Sequence, residues 1–225
     1  MVNLSLLPEI LKEIRNDYFV LEVAGKRTTT YQTIYFDTPK YDCYLKHHNG
    51  RLNRYKIRSR QYVESNLNFF EVKFKSNKDR TQKDRILCEQ QVSSIEGRVH
   101  EFMQSSTGLN ASEFQPCMFI NFIRITLVSK QLNERMTIDL KLHFKNEEGE
   151  KHYDNLVIVE AKMETGKKAS SIVTAMKKFH VREKSISKYC LGVSLLVPDI
   201  KKNTFKPTLQ YLNKLLSDER PVYQL

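Results

Sequence analysis

The chain has 225 residues, 40% of them hydrophobic and 28% charged, with 12 Phe and 11 Tyr, no Trp, and a formal net charge of +11. This composition excludes a disordered or fibrous polypeptide and supports a real core in one large domain or two small ones. The excess of cations points to an anionic partner: nucleic acid, a membrane surface or a phosphorylated small molecule.

In chain order, SLLPEILKEIRND predicts a short helix with Leu7, Ile10, Leu11 and Ile14 on one stripe. YFVLEV, the turn AGK and TTTYQTIYFDT predict a hairpin. Thr38-Pro39 opens a helix, PKYDCYLKHH, that Asn49-Gly50 ends. Strands are expected over 51–62, 68–75 and 82–88, and a helix in SSIEGRVHEFMQSS. Further strands are expected over 117–128, 134–145 and 153–163, then helices over 167–181 and 207–217. The fold class expected is α+β, with about eight strands joined mostly by short turns, hence antiparallel, a number that closes into a small barrel with the helices outside. No linker or repeat is visible, so residues 1–225 read as one domain.

Other features narrow the class. Cys43, Cys88, Cys117 and Cys190 are widely spaced with no C-x-x-C, the pattern of reduced thiols in a cytosolic protein. The longest apolar window, YCLGVSLLV, falls far short of the roughly 20 residues of a membrane span. MVNLSLLPEI lacks a signal-peptide layout.

The charge is concentrated and sorted. Residues 51–85 hold eleven Lys and Arg against four Asp and Glu. In RYKIRSRQY, Lys56, Arg58 and Arg60 stand two apart, and on a strand such residues share a face. The pattern recurs: Glu71, Lys73 and Lys75 against Phe70, Val72 and Phe74; Lys83 with Arg85; Arg124 with Thr126. It recurs again in Arg135, Thr137, Asp139, Lys141 and His143, and in Glu160 with Lys162. The apolar faces need helices to cover them, which turns the charged faces toward a lumen. A lumen of like charges is costly when empty, so it must be wet and built for a multiply charged anion. Arg offers bidentate contacts to phosphate and Lys a point charge. Glu71 and Glu160 have hard oxygens suited to Mg²⁺ or Mn²⁺, but each also has a lysine two residues on that could simply pair with it.

IYFDTPKYDCYLKHHNGRLNRYKIRSRQY, FFEVKFKSNKDRTQKDRI, RMTIDLKL, LVIVEAKM and SISKYCLG, in that order, resemble the VTC domain. This is the polyphosphate polymerase domain of the vacuolar transporter chaperone family, among the triphosphate tunnel metalloenzymes related to the CYTH proteins. The resemblance implies an antiparallel tunnel that binds triphosphate, ATP or polyphosphate with Mn²⁺ or Mg²⁺ and transfers the γ-phosphate of ATP to a growing chain. It also implies roles. Arg58 and Arg60 carry the family's R-x-R, Lys73 its E-x-K, and Lys83 and Arg124 the lysine and arginine of later strands. Glu160 is then the metal ligand and Lys188 the lysine of the late S-K-[YF] motif. By parity, Lys56, Lys75 and Arg85 join the phosphate-binding set, and Glu71 joins Glu160 as a metal candidate. One departure is that the first helix follows Met1 almost at once, where the family begins with an extra charged strand.

Three rival readings remain. Water in place of the polyphosphate acceptor gives a triphosphatase. Loss of turnover gives a polyphosphate-binding module. A nucleic-acid binder is disfavoured because the aromatics of RYKIRSRQY lie opposite its cations, whereas single-strand binders need both on one face.

Overall fold

The computed structural model of the chain describes residues 1–78, 80–131, 134–163 and 170–217. The elements in order are β1 (Val2–Asn3), α1 (Leu7–Ile14), β2 (Tyr18–Val20), β3 (Thr28–Asp37), α2 (Asp42–His48), β4 (Arg54–Tyr62), β5 (Leu67–Lys75) and β6 (Thr81–Cys88). Then come α3 (Gly97–Thr107), β7 (Gln115–Ser129), β8 (Glu134–Asn146), β9 (Gly149–Tyr153), β10 (Leu156–Met163), α4 (Ser171–Lys178), α5 (Lys188–Leu196) and α6 (Lys206–Ser217). The α+β class holds. The strands form one antiparallel sheet in the order β1-β10-β8-β7-β3-β4-β5-β6, with β2 added to β7 and β9 to β8.

The expected closed barrel is not formed. The sheet ends at β1 and β6, and no pairing joins them. Closure needs a continuous ladder between the two edge strands. β1 offers only two positions, Val2 opposite Val157 and Asn3 opposite Leu156, so the ladder stops there. The sheet nevertheless curls into a trough. Lys73 on β5 lies within electrostatic reach of Glu160 and Lys162 on β10, five strands away along the ladder. The structure places a two-residue strand, Val2–Asn3, ahead of the first helix, at the edge beside β10.

The outer face of the sheet is apolar, as the alternation required. Ile10 and Ile14 of α1 and Ile172 and Ala175 of α4 pack on Met136, Ile138 and Val157. Met103 of α3 packs on Ile34, Phe36, Ile57, Phe70 and Val72. Side chains of this size contribute roughly 1.5–3 kcal/mol each when fully buried. The trough side has its own cluster, in which Tyr189, Cys190, Leu191 and Val193 of α5 meet Tyr35, Met118, Ile120, Phe122 and Phe144. α5 lies so close that a Cβ on Gly192 would stand 2.9 Å from Met118 Sδ and from Phe144 Cδ1. α5 therefore fills part of the trough and leaves the rest to the charged side chains.

Several sequence expectations are corrected. The turn at AGK closes as expected, with Val23 bridged to Lys26, but the hairpin stops there, because β2 pairs with β7, Tyr18 opposite Ser129, and not with β3. The strand expected over 153–163 is β10, beginning at Leu156, and an unexpected strand, β9, precedes it over Gly149–Tyr153. α5 was not expected, and Ser187 starts it by accepting from the Cys190 amide at 3.3 Å. The α4 helix begins at Ser171, and residues 167–169 of its expected span lie outside the described residues. The register of β7 on β8 shifts between Asn121 and Ile123, where Lys141 adopts φ +50°. An extra residue there reverses the faces beyond it. Met136 and Ile138 face outward, Leu142 and Phe144 enter the trough-side cluster, and His143 does not share the face of Asp139.

Candidate functional site

The strands β4, β5 and β6 pair so that Lys56 lies opposite Lys73, Arg58 opposite Glu71, and both Lys83 and Arg85 continue the same face. β3 places Tyr35 opposite Arg58 and Thr33 opposite Arg60. β7 and β8 add Arg124 opposite Asp139, and β10 adds Glu160 opposite Thr137. Every site residue read from the alternation therefore stands on one face of one sheet. Lys188 reaches the same space from the first turn of α5.

Within the trough the cations are treated unequally. Glu71, 1% exposed, lies 2.6 Å from Arg58 Nε and 2.6 Å from Lys83 Nζ. Burial raises its pKa, but Arg58, Arg60 and Lys83 outweigh burial and hold it down to about 2. Asp139, fully buried, accepts from Arg124 Nε at 2.6 Å and Arg124 Nη2 at 2.8 Å, and also pairs with Lys188. Burial opposes its ionisation; Arg124 and Lys188 overcome that and leave its pKa lowered. Glu160 is different. Its side chain is half exposed, and its contact with Lys162 is a loose 3.5 Å. Of the two acids proposed for metal, Glu71 is thus clamped between two cations, while Glu160 keeps open oxygens.

A second set of cations has no carboxylate within ion-pair distance among the described residues. Lys56 donates to a neutral hydroxyl, Ser187 Oγ, at 2.9 Å. Lys73 is exposed to the trough. Its pKa is lowered by the surrounding protein and by the charges of Lys56, Arg58 and Lys162. Arg60 is 8% exposed, lies 5.2 Å over the Tyr31 ring, and has a buried Nε with no hydrogen-bond partner. Burial and then Arg58 lower its pKa. Tyr35 responds oppositely: burial raises its pKa, but Arg58 and Arg60 bring it below the ordinary phenol value. Two more buried atoms without partners, Thr33 Oγ1 and Thr137 Oγ1, sit on this face. A buried polar group without a partner costs roughly 1–3 kcal/mol, more when charged. Three such groups on one face describe a surface waiting for acceptors.

The trough opens into a cavity of about 290 Å³ bordered by His47, Arg54, Lys56, Lys73, Lys75 and Ser187. Burial, then Lys56 and Arg54, keep the His47 imidazole neutral, with a pKa of about 3. Sequence reasoning missed Arg54, although it shares the parity of Lys56, and read His47 as a helix end. It also left Asp139 out of the site, although its parity matched.

Aromatics from β3, β5 and β7 do share the cationic face. Arg85 lies 4.5 Å over Phe69, and Arg124 lies 4.8 Å over Tyr31 and 5.2 Å over Phe122. Tyr31 and Phe122 are buried and stacked on each other at 4.9 Å, and Tyr35 is stacked on Tyr189 at 5.0 Å. Tyr31, Tyr35 and Phe122 are thus occupied by other rings and by cations, while Phe69 is only partly buried under Arg85.

Among the described residues, no helix is long and apolar enough to cross a membrane. All four cysteines are free thiols.

No curated protein matches the chain. Among solved structures, an adenylate-cyclase-like protein of Bacillus halodurans is similar in fold, with a TM-score of 0.51 at 11% identity, covering 84% of this chain and 90% of that one. HpAC1 of Hippeastrum, for which a dominant triphosphatase activity is described, has a TM-score of 0.49 at 16% identity, with 87% and 91% covered. An adenylate-cyclase-like protein of Vibrio parahaemolyticus has a TM-score of 0.46 at 15% identity, with 82% and 90% covered. The VTC domain family matches residues 1–197. With that match over most of its length, the chain belongs to the VTC domain family.

Proposed function

We propose that the protein is a metal-dependent phosphotransferase that moves the γ-phosphate of ATP onto a polyphosphate chain lying in the trough, with residues 1–225 acting as one unit. The observation that carries this reading is Arg60: a buried guanidinium with an unpartnered Nε, beside Lys56 and Lys73, which have no carboxylate of their own. A row of phosphates supplies the missing acceptors and charge.

Lys56, Arg58, Arg60, Lys75, Arg85 and Arg124 bind phosphate oxygens along the trough. Arg58 and Arg124 each give part of their guanidinium to Glu71 or Asp139, which fixes the remaining N–H groups in place. Lys73, Lys83 and Lys188 surround the transferring phosphoryl group and stabilise charge on its oxygens. Catalysis of this kind is positioning and electrostatics rather than covalent chemistry. Enzymes of the triphosphate tunnel class generally use a divalent metal, and the half-exposed carboxylate of Glu160 fits one. Glu71 and Asp139, each between two cations, serve instead to orient their partners. Glu160 would hold such a Mn²⁺ or Mg²⁺ ion, which would supply charge neutralisation to a bound phosphate chain. The acid itself has a use only with such a cation, since a carboxylate alone repels a polyanion.

The open side of the sheet supports a second reading, a tripolyphosphatase, because water has access to the phosphate row there. Incubation of the pure protein with ATP and Mn²⁺, followed by a polyphosphate gel and a phosphate-release assay, separates the two. Polymer with ADP is the expected product. Phosphate without polymer gives the hydrolase. Neither product, with ATP still bound, leaves a binding module and overturns the enzyme.

A further inference from the structure

The reversal of faces at Lys141 has a second effect, on the outer side of the sheet. It turns His143 away from the trough and sets it directly opposite His152 in the β8–β9 pairing. Glu150 is two residues before His152 and so shares its face. The two imidazole rings stack at 3.9 Å between centroids, 11° from parallel. The Glu150 carboxylate faces both: Oε2 lies 3.0 Å from His143 Nε2, and Oε1 lies 3.8 Å from His152 Nε2.

We propose that His143, Glu150 and His152 form a binding site for one divalent transition-metal ion of the zinc, copper or nickel class, separate from the phosphate trough. One ligand atom from each residue lies within 4.8 Å of the others. A tetrahedral ion bound at about 2.1 Å holds its ligand atoms roughly 3.4 Å apart, so the three need to draw in by roughly 1 Å. Side-chain rotation of the half-exposed Glu150 and His152 suffices for that. Two imidazole nitrogens and one carboxylate oxygen are the donors of open zinc sites, with the remaining position left to water or a ligand. Imidazole selects zinc, copper and nickel over Mg²⁺, which prefers oxygen donors. Lys145, opposite Glu150, repels an incoming cation, which points to a moderate affinity. The hairpin itself supplies all three ligands in one rigid register, so no loop has to be ordered.

The test is calorimetric titration of the full chain with ZnCl₂ in phosphate-free buffer, with MgCl₂ as the control. One saturable zinc site per chain is expected, absent with Mg²⁺. His152→Asn, at an exposed position that the fold does not need, should weaken it at least tenfold, and His143→Asn with His152→Asn should abolish it. Glu160→Gln should leave it intact. The copper-loaded protein should show nitrogen splitting from two imidazoles by electron paramagnetic resonance. No saturable zinc binding, equal binding by the double variant, loss of the site in Glu160→Gln, or a copper spectrum without nitrogen splitting would each overturn the proposal.

Discussion

The two walls of the trough hold their cations in opposite ways. On the β7–β8 wall, Arg124 and Lys188 converge on Asp139, which is fully buried, so charge is balanced within the protein. On the β4–β5 wall, Glu71 balances only Arg58 and its neighbour Lys83, while Lys56, Arg60 and Lys73 have no carboxylate within ion-pair distance among the described residues, and the Arg60 Nε has no hydrogen-bond partner. The first arrangement joins α5 to the sheet and fixes Arg124 and Lys188 in place along the trough. The second leaves cations without a counter-charge, a cost that the anion proposed for the trough would offset. The cations thus fall into two classes: Arg58, Lys83, Arg124 and Lys188 share a carboxylate, and Lys56, Arg60 and Lys73 have none within ion-pair distance among the described residues.

The comparison is broken most severely by removing the buried acid. Asp139→Ala leaves Arg124 and Lys188 with no counter-charge and detaches α5, and should cost about 3–5 kcal/mol in urea denaturation. A loss below about 1 kcal/mol would mean the pair is not structural. On the other wall the signs reverse. Arg60→Met removes an unpaired buried charge, so stability should hold or rise. Tripolyphosphate affinity should fall by at least about tenfold, equivalent to about 1.4 kcal/mol. A variant that loses stability and keeps affinity would exchange the roles of the two walls.

Acid provides a smaller effect. Glu71 and Asp139 both have depressed pKa values in the folded state. Their stabilisation is complete above the ordinary carboxylate range and is lost as pH falls through the folded values, which for Glu71 is about 2. Stability should therefore decline from about pH 4.5 toward pH 2. Glu71→Gln, followed by thermal melts across that range, should flatten the decline; an unchanged slope would show that Glu71 is not the group responsible. The smallest effect belongs to Lys162, whose side chain is 72% exposed. Lys162→Ala should change stability by less than about 0.5 kcal/mol. A larger loss would make the Glu160–Lys162 contact structural and remove the reason to assign Glu160 to a metal.

The sequence made the charged face legible because strand geometry has a period of two. Lys56, Arg58 and Arg60, or Glu71, Lys73 and Lys75, can occupy only one side of an unbroken strand. Unbroken is the condition that failed at Lys141. A single left-handed residue there moved His143 to the far side, and no neighbouring proline or glycine signals it. Edge pairing was equally hidden, because whether β1 closes on β6 depends on long-range register and not on local propensity. α5 escaped notice for another reason. SKYCLGVSLL is apolar on every side because six of its residues are buried, so it lacks the polar stripe by which a surface helix is recognised. Among site residues, Lys188 was reached through family resemblance alone. Its place opposite Asp139 needs the docked helix.

The central claim is that Lys56, Arg60 and Lys73 on the β4–β5 wall are left uncompensated so that they can hold a row of phosphates. Its most direct test is calorimetric titration of the metal-free protein with tripolyphosphate, in parallel with a single-stranded oligonucleotide, on the wild type and on Arg60→Met. The account predicts one saturable tripolyphosphate site per chain, weakened at least about tenfold by the substitution, and markedly weaker oligonucleotide binding. Equal or tighter binding of the oligonucleotide, or tripolyphosphate binding indifferent to Arg60, would contradict it.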